Sequence, residues 1–408
     1  MSSPASTPEI SATATAPTSI SGIITSQTFG EPGGCTDRYH QSWNRRRQRR
    51  RRGRPRPLGG GDMASSFIED GAQCSIRAMN ITILDDWQDT IRTLACFSKV
   101  AGHTVTIFND HTKDVEALAK RLADTEALCL IRERTPIRGP LLQRLDKLKL
   151  ISQAGVFPHV DVDAATRRGI LMCSSTGPGR PSYATAELTW GLVIAAFRRI
   201  PQEMNALRAG KWQAHPIGVG LRGKTLGIWG YGKIGAVVAG YGKAFGMNVL
   251  AWGRSSSLEK AKADGYTPAA SKEAFLEQCD VVSIHVRLIP ETRGMVTAAD
   301  LARMKPGAVF VNTSRAGLVA PGALEAAVKA GRPGMAAVDV FEEEPVVGGN
   351  HPLLKMDNVI AVPHLGYVER DGLEHMFSGI FDQVLAYAAG KPINVQNPEA
   401  LTARGAGR

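Results

Sequence analysis

Residues 225–235 read TLGIWGYGKIG, and this stretch decides the fold. Its first five residues are an apolar run that predicts a buried strand, and residues 234–245 have the pattern of an amphipathic helix. Glycines at positions 230 and 232 lie between the two, and a third, at 235, is the second residue of the helical stretch. A second apolar run begins at residue 248, 18 residues after the first glycine. The order of strand, tight turn, helix and strand is typical of a βαβ unit in a parallel sheet.

Each of the three glycines has a separate physical task in such a turn. Gly230 permits the tight bend, Gly232 lets the backbone approach a pyrophosphate, and Gly235 lets helix and strand pack closely. The amides that open the helix, at Lys233 and Ile234, then face the negative charge with the helix dipole behind them. The spacing G-x-G-x-x-G is weak evidence alone. A strand before it and a helix after it are the context that predicts dinucleotide binding.

The residues after the second strand bear on which dinucleotide binds. An NAD-binding domain usually carries Asp or Glu there, where the carboxylate binds the ribose hydroxyls. This chain has GRSSS at positions 253–257 instead. No carboxylate repels a 2′-phosphate, and Arg254 with Ser255 beside it can bind one. We expect NAD(P) as the cofactor, with NADP(H) slightly favoured over NAD(H). The alternative is a solvent-facing Arg254, with NAD held by the remaining contacts.

From Asn80 onward, short apolar runs alternate with amphipathic segments, which predicts an α/β fold. Five strands are predicted in a first layer, at 80–84, 104–108, 127–131, 149–152 and 170–173. Six are predicted in a second layer, at 225–229, 248–252, 281–286, 308–312, 336–340 and 359–362. A long helix is expected over about 182–200. Six parallel strands is the count of a full dinucleotide-binding domain.

We therefore predict two doubly wound parallel-sheet domains, a Rossmann cofactor domain and a flavodoxin-like substrate domain. The substrate domain takes residues 79–181, the cofactor domain takes 182–365, and residues 366–408 return to the substrate domain. Residues 1–78 are rich in Ser, Thr, Pro, Gly and Arg without apolar periodicity, so they are predicted to be a disordered extension. The active-site cleft is expected between the two domains.

The net charge of +11 is unevenly distributed. Residues 1–78 carry 11 Lys and Arg against 6 Asp and Glu, and nine arginines fall between Arg45 and Arg56. Such a block can bind nucleic acid electrostatically, but a lone basic run is weak evidence for that partner. We favour a disordered leader, or translated sequence ahead of a true start at Met63 or Met79. No nucleic-acid partner is expected.

The composition argues against several other classes of protein. With 43% apolar residues the chain can bury a core, and no apolar run approaches the roughly 18 residues that span a bilayer. No membrane partner is therefore expected. The first residues lack the basic start and apolar core of a secretory signal. Six scattered cysteines form no C-x-x-C pair, which argues against a zinc or other metal site and fits the reducing cytoplasm.

Several motifs downstream of the glycine-rich turn occur in a fixed order. They are DVVSIHVRLIPETRG (280–294), VNTSRAGLVAPGAL (311–324), AVDVFEEEP (337–345) and DNVIAVPHLG (357–366). Together with TLGIWGYGKIG, they make the chain from Met79 to about residue 398 resemble the D-2-hydroxyacid dehydrogenases. This family includes phosphoglycerate dehydrogenase and the glyoxylate/hydroxypyruvate reductases. The resemblance implies hydride transfer between NAD(P)H and the CH–OH or keto carbon of a small 2-hydroxy or 2-keto acid.

The resemblance also implies a catalytic set of Arg315, Glu344 and His364. Each follows the carboxyl end of a predicted strand, the edge where open α/β sheets bind ligands. His364 can donate a proton to the forming alkoxide because imidazole ordinarily titrates near neutrality. Glu344 would favour the imidazolium and fix the tautomer. Arg315 can hold the substrate carboxylate in a fork and polarise the carbonyl.

Further contacts are implied in the same way. Four residues are assigned to the cofactor, with the last at the nicotinamide carboxamide: Val286, Thr292, Thr313 and Asp339. Four residues are assigned to the substrate, through guanidinium groups or backbone amides: Arg132, Arg134, Gly155 and Val156. For the two arginines, a solvated loop is the alternative. A homodimer through residues 190–212 is also implied.

The chain departs from the family pattern at three places. The usual proline after the His-Val pair is Arg287, the usual GVDNID reads GVFPHVD at residues 155–161, and the carboxylate of the cofactor strand is missing. The contacts to adenine and the identity of the substrate therefore stay open.

Two other functions also stay open. A dinucleotide-sensing binding protein of the corepressor type shares this fold, and the arginine block could then serve nucleic acid. An NAD-dependent hydrolase of the adenosylhomocysteine type fits less well, because the region before Gly230 is too short for its substrate domain.

Overall fold

The computed structural model describes residues 77–175 and 183–403. The predicted extension at residues 1–78, including the arginine block, lies outside the described residues apart from positions 77 and 78. The described residues form one parallel sheet of five strands and one of seven. This confirms the prediction of two doubly wound α/β layers.

The first sheet has the strand order β2-β1-β3-β4-β5, and all neighbouring strands are parallel. Its strands are β1 (Asn80–Ile83), β2 (Thr104–Ile107), β3 (Ala127–Cys129), β4 (Leu150–Ala154) and β5 (Leu171–Ser175). This order is that of flavodoxin-like sheets. The connecting helices are Ile91–Thr93, Ala95–Val100, Val115–Arg121, Gly139–Leu142 and Val162–Arg167. The carboxylates of Asp114 and Asp161 accept hydrogen bonds from backbone amides in the first turns of the helices Val115–Arg121 and Val162–Arg167. These two aspartates therefore cap the helices that follow them.

The second sheet is also parallel throughout, with the order β12-β11-β10-β9-β6-β7-β8. Its strands are β6 (Thr225–Trp229), β7 (Asn248–Trp252), β8 (Thr267–Pro268), β9 (Val281–Ile284), β10 (Val309–Asn312), β11 (Met335–Val338) and β12 (Val359–Ala361). The strand order reverses between β6 and β9, so a crevice opens at their carboxyl ends. The predicted count of six strands is wrong by one. The additional strand, β8, has two residues and therefore no periodicity that a sequence could display.

The helices of the second sheet follow the same alternation. They are Lys233–Ala244, Ser255–Ala263, Lys272–Gln278, Pro290–Thr292, Ala298–Arg303, Ala316–Leu318, Ala323–Lys329 and Pro352–Lys355. Three large aromatic side chains, Trp229, Phe275 and Phe310, are fully buried in the core beneath one face. The sheet that carries the glycine-rich turn is therefore packed against a buried aromatic core.

The helix predicted over about 182–200 is confirmed as Tyr183–Arg198, and a second helix that was not predicted, Ile200–Arg208, follows it. Arg199 between them has the left-handed backbone angles φ 52° and ψ 37°. Pro201 then falls in the first turn of the second helix, where its missing N–H costs nothing.

The chain returns to the first sheet after β12. The helix Arg370–Ala388 buries Phe377, Ile380 and Phe381 in the same core as the strands of the first sheet. The Ser152 hydroxyl on β4 donates to the carbonyl oxygen of Ile380 at 2.9 Å. A last helix follows at Glu399–Ala403. The segment between β12 and the return helix therefore crosses from one sheet to the other.

No helix within the described ranges is both long and apolar enough to cross a membrane. Over the same residues, no three His, Cys, Asp or Glu side chains cluster in a way that could hold a metal ion.

Candidate active site

A cleft between the two sheets is lined by loops that follow strand carboxyl ends. Residues 132–134 follow β3, 313–315 follow β10, 339–344 follow β11, and 364–367 follow β12. These loops leave their sheets at one edge, because the strands of each sheet are all parallel. They border a cavity of about 670 Å³ that also reaches the start of the helix Lys233–Ala244. The site therefore lies where open α/β sheets usually bind ligands.

Two glycines of the turn are required by the backbone itself. Gly230 has a φ of 98°, and a Cβ atom there would lie 2.8 Å from the carbonyl oxygen of His285. At Gly235 a Cβ atom would collide with the carbonyl oxygen of Gly230. Gly232 differs, because no atom lies within 4 Å of the position its Cβ would take. The turn therefore leaves open space at the start of a twelve-residue helix, which fits a pyrophosphate.

Arg254 and Ser255 are exposed and lie where the helix Ser255–Ala263 begins. The first turn of that helix has no acidic residue. The hydroxyl of Ser257 accepts a hydrogen bond of 2.8 Å from the amide of Tyr231, which ties this helix start to the glycine-rich turn. The two residues assigned to the adenosine end are thus brought next to the predicted pyrophosphate site.

Most of the other residues assigned to the cofactor line one cavity. They are Lys233, Ile234, Val286, Thr313 and Asp339. The Thr313 hydroxyl lies 2.7 Å from the hydroxyl of Thr189. Thr313 is therefore held in position by a residue of the helix Tyr183–Arg198. Thr292 is engaged elsewhere, because its hydroxyl donates to the carbonyl oxygen of Arg287 at 2.7 Å and accepts from the amide of Ile289. It holds the loop after β9 and is not among the residues that line this cavity.

The carboxylate of Asp339 is fully buried and binds the backbone of the loop after β12. Its oxygens accept hydrogen bonds from the amides of Leu365 at 2.5 Å and Gly366 at 2.9 Å. Burial raises the pKa of Asp339 to about 6, against the lowering effect of those two amides. Asp339 therefore fixes the loop that carries His364, a task additional to the contact implied by the resemblance.

His364 and Glu344 form a hydrogen-bonded pair. Nδ1 of His364 lies 2.6 Å from Oε2 of Glu344, and the other carboxylate oxygen accepts the amide of Phe341 at 3.0 Å. Burial acts to raise the pKa of Glu344, but the hydrogen bond and charge of His364 outweigh it. The net pKa therefore lies below the ordinary value. With Nδ1 engaged, Nε2 is the ring nitrogen left to act on a ligand.

Arg315 is engaged by a carboxylate that the sequence did not indicate. Its Nη2 lies 3.1 Å from Oε2 of Glu133, and its Nη1 donates to the carbonyl oxygen of Ser314 at 2.8 Å. The side chain of Arg315 is 37% exposed, so a ligand in the cavity can reach it. A carboxylate already occupies the guanidinium that was predicted to hold the substrate carboxylate.

Tyr367 brings together residues from both sheets and was also not predicted. Its hydroxyl accepts a 2.6 Å hydrogen bond from Nε of Arg134, and the guanidinium carbons of Arg132 and Arg134 lie 5.6 and 5.4 Å from its ring centroid. The ring of His364 packs edge-on at 5.7 Å. Burial raises the pKa of Tyr367 against the opposing Arg134, so the phenol stays neutral. The only sequence signal was its place three residues after His364.

The predicted substrate loop contributes less through Gly155 than expected. The amide of Gly155 donates to the carbonyl oxygen of Ser175 at 3.0 Å, so it extends the pairing of β4 with β5 and is not free for a substrate carboxylate. Val156 is half exposed and lines the cavity. Arg132 adjoins this loop, since a Cβ atom on Gly155 would lie 3.2 Å from its Nη1.

Comparison with known proteins identifies relatives. The family model for the NAD-binding domain of D-isomer-specific 2-hydroxyacid dehydrogenases matches residues 190–366. Glyoxylate reductase of Aeropyrum pernix is 39% identical over 300 residues, 71% of this chain and 88% of that protein. D-3-phosphoglycerate dehydrogenase of Archaeoglobus fulgidus is 36% identical over 280 residues, 68% of this chain but 52% of that protein, so the chain spans about half of its length. A solved structure from Ralstonia solanacearum, of a candidate D-3-phosphoglycerate dehydrogenase oxidoreductase, is 50% identical with a TM-score of 0.76. That match covers 79% of this chain and 98% of the other.

Proposed function

Because the chain belongs to the D-isomer-specific 2-hydroxyacid dehydrogenase family and is an oxidoreductase of CH–OH groups, we propose how its own residues carry the reaction. The substrate is a small 2-keto or 2-hydroxy acid, held in the cleft between the two sheets. The observation that carries the proposal is that one cavity exposes His364, Arg315 and the start of the helix after the glycine-rich turn. An acid, a cation and a dinucleotide site are the three parts that keto-acid reduction needs.

His364 is the general acid and base. Its Nε2 gives a proton to the alkoxide that forms when the keto carbon is reduced, and takes one back in the reverse direction. Glu344 holds Nδ1 through a carboxylate that stays ionised, since the hydrogen bond with His364 helps to lower the pKa of Glu344. Glu344 is thus the group that orients the acid.

Arg315 binds the substrate carboxylate and polarises the keto oxygen. Glu133 occupies one edge of its guanidinium, so the substrate displaces or shares that contact. Arg132, Arg134 and Val156 supply further contacts around the carboxylate and the side chain. Gly155 shapes the loop with its positive φ of 93°.

The nicotinamide cofactor supplies the hydride when it is bound. Gly230, Gly232 and Gly235 shape the turn, and the amides of Lys233 and Ile234 meet the pyrophosphate. Asp339 would hold the nicotinamide carboxamide with Thr313 beside it, Val286 would line the cofactor site, and Thr292 supports the loop after β9. Arg254 and Ser255 favour NADP(H) over NAD(H), because a cation and a hydroxyl replace the usual carboxylate at the ribose.

A homodimer forms through residues 190–212. Several large apolar side chains are exposed along this segment: Ile200, Met204, Leu207 and Trp212. A soluble monomer rarely exposes so many in one stretch. The cytoplasmic location expected from the cysteine content stays a prediction. Nothing in the comparisons supports the corepressor alternative.

A panel of 2-keto acids assayed with NADH and NADPH tests the proposal. Loss of nicotinamide absorbance should require both the keto acid and the protein, and glyoxylate and hydroxypyruvate belong in the panel. Binding of the reduced cofactor without turnover of any keto acid would contradict the enzymatic proposal and favour a dinucleotide-sensing protein.

A further inference from the structure

A second compartment adjoins the catalytic pair, on the side of the β1 loop. It has a volume of about 310 Å³, and His364 and Glu344 stand at the boundary between it and the main cleft. Tyr367 and Trp87 also border both spaces. A group attached to the keto carbon of a substrate at His364 can therefore enter this compartment.

The walls of this compartment are mainly apolar. Trp87 and Ile91 contribute from the segment after β1, Val346 and Val347 from the loop after β11, and Leu373 from the return helix. Trp87 is 43% exposed and Val347 65%, although both are large apolar side chains. Exposed apolar surface along a small, partly open compartment is what an apolar ligand group would cover.

The charges that line the compartment are unfavourable for an anion. Three acidic residues, Asp85, Asp86 and Glu344, line it together with one arginine, Arg134, and with His364. The two aspartates are held in place: Asp85 pairs with His111 at 2.7 Å, and Asp86 accepts the amide of Ile91 at 2.9 Å. Arg134 already donates to Tyr367. A phosphoryl group, with a charge of about −2, would meet more negative than positive charge here.

We propose that this compartment receives the substrate side chain, and that this side chain is bulky and apolar, either branched aliphatic or aromatic. The inference rests on the proposed function and narrows its substrate class. It sets the chain apart from relatives named for glyoxylate, which has no side chain, and for phosphoglycerate. Glyoxylate would leave the compartment without an apolar occupant, whereas each buried methylene in such a pocket is worth about 10–200-fold in kcat/KM.

The first test compares kcat/KM of the full chain for five keto acids with its preferred cofactor. Phenylpyruvate and 4-methyl-2-oxopentanoate should exceed glyoxylate and hydroxypyruvate by at least about tenfold, and 3-phosphohydroxypyruvate should be the poorest. A higher kcat/KM for glyoxylate or the phosphorylated acid would overturn this inference and leave the proposed function standing. Activity with none of the five would instead overturn the proposed function and this inference with it.

The second test is the variant Trp87→Ala, read as a ratio of kcat/KM values. The ratio of phenylpyruvate to glyoxylate should fall about tenfold, because the variant removes an aromatic wall that only the larger substrate uses. Leu354→Ala is the matched control, since Leu354 is a similarly exposed apolar residue beside β12. It should leave the ratio unchanged. An equal ratio in Trp87→Ala and the wild type would contradict the assignment of the compartment.

Discussion

Arg315 and Glu133 face each other across the cleft, with Nη2 of the arginine 3.1 Å from Oε2 of the glutamate. The arginine follows β10 of the second sheet and the glutamate follows β3 of the first. The protein's own carboxylate thus takes a position beside the guanidinium that a substrate carboxylate needs. If Arg315 binds the substrate carboxylate as proposed, the Glu133 contact competes with substrate binding.

Replacing Glu133 with Gln should lower KM for the keto acid by about two- to fivefold, the range expected when a partly exposed ion pair stops competing. Steady-state kinetics with the preferred keto acid measure this. Glu277→Gln is the control, because it breaks a comparable surface pair with Arg303 and should leave KM unchanged. A KM that rises in Glu133→Gln would mean that Glu133 orients Arg315 instead of competing for it.

The pair of Glu344 and His364 predicts a pH dependence of stability. The pKa of Glu344 is lowered, so the ionised carboxylate is favoured in the folded protein. The contribution of this ionised carboxylate to stability is fully present above the ordinary carboxyl pKa of about 4.3. It is lost as the pH falls through the lower folded value. Glu344→Gln should therefore cost about 1–2 kcal/mol of unfolding free energy at pH 7, and the difference from wild type should shrink below pH 4.5.

Urea unfolding of both proteins at pH 7, 5 and 4 measures this difference. Glu342→Gln serves as the control, because Glu342 is an exposed glutamate in the same loop. A difference between wild type and Glu344→Gln that stays constant across this range would contradict the assigned ionisation.

Arg254→Ala tests the cofactor preference. Loss of a charge-assisted contact to the 2′-phosphate should raise KM for NADPH about tenfold, with a much smaller change for NADH. Lys262→Ala, at an exposed position on the same helix, should leave the NADPH to NADH ratio unchanged. If the wild type prefers NADH and Arg254→Ala keeps this preference, Arg254 faces solvent and does not contact the cofactor.

The sheets were predictable because their strands carry continuous apolar runs, and the turn because three glycines have fixed spacing. The strand Thr267–Pro268 could not be predicted, since its two residues form a strand only by pairing with β7. The helix Ile200–Arg208 was not predicted either, although Pro201 in its first turn is a typical residue for the start of a helix.

In the site, the sequence pointed to residues that the structure brings to one cleft, and it missed the contacts between distant segments. Arg315 and Glu133 are 182 residues apart, and Arg134 and Tyr367 are 233 apart. Each pair joins a loop of the first sheet to a loop of the second sheet. The spacing of residues within either loop gives no sign of such a contact. The same reason explains Asp339, whose hydrogen bonds to Leu365 and Gly366 depend on β11 and β12 being neighbours.

The account depends most on His364 as the proton donor, and the turnover number of His364→Ala measures that directly. We predict a fall in kcat of about 10²–10⁴-fold, with cofactor affinity retained. His351→Ala is the matched control, because His351 also pairs with a glutamate, Glu342 at 3.1 Å, but outside the cavity that holds His364. The control should stay within twofold of wild type. A His364→Ala variant whose kcat equals that of His351→Ala would contradict the central claim.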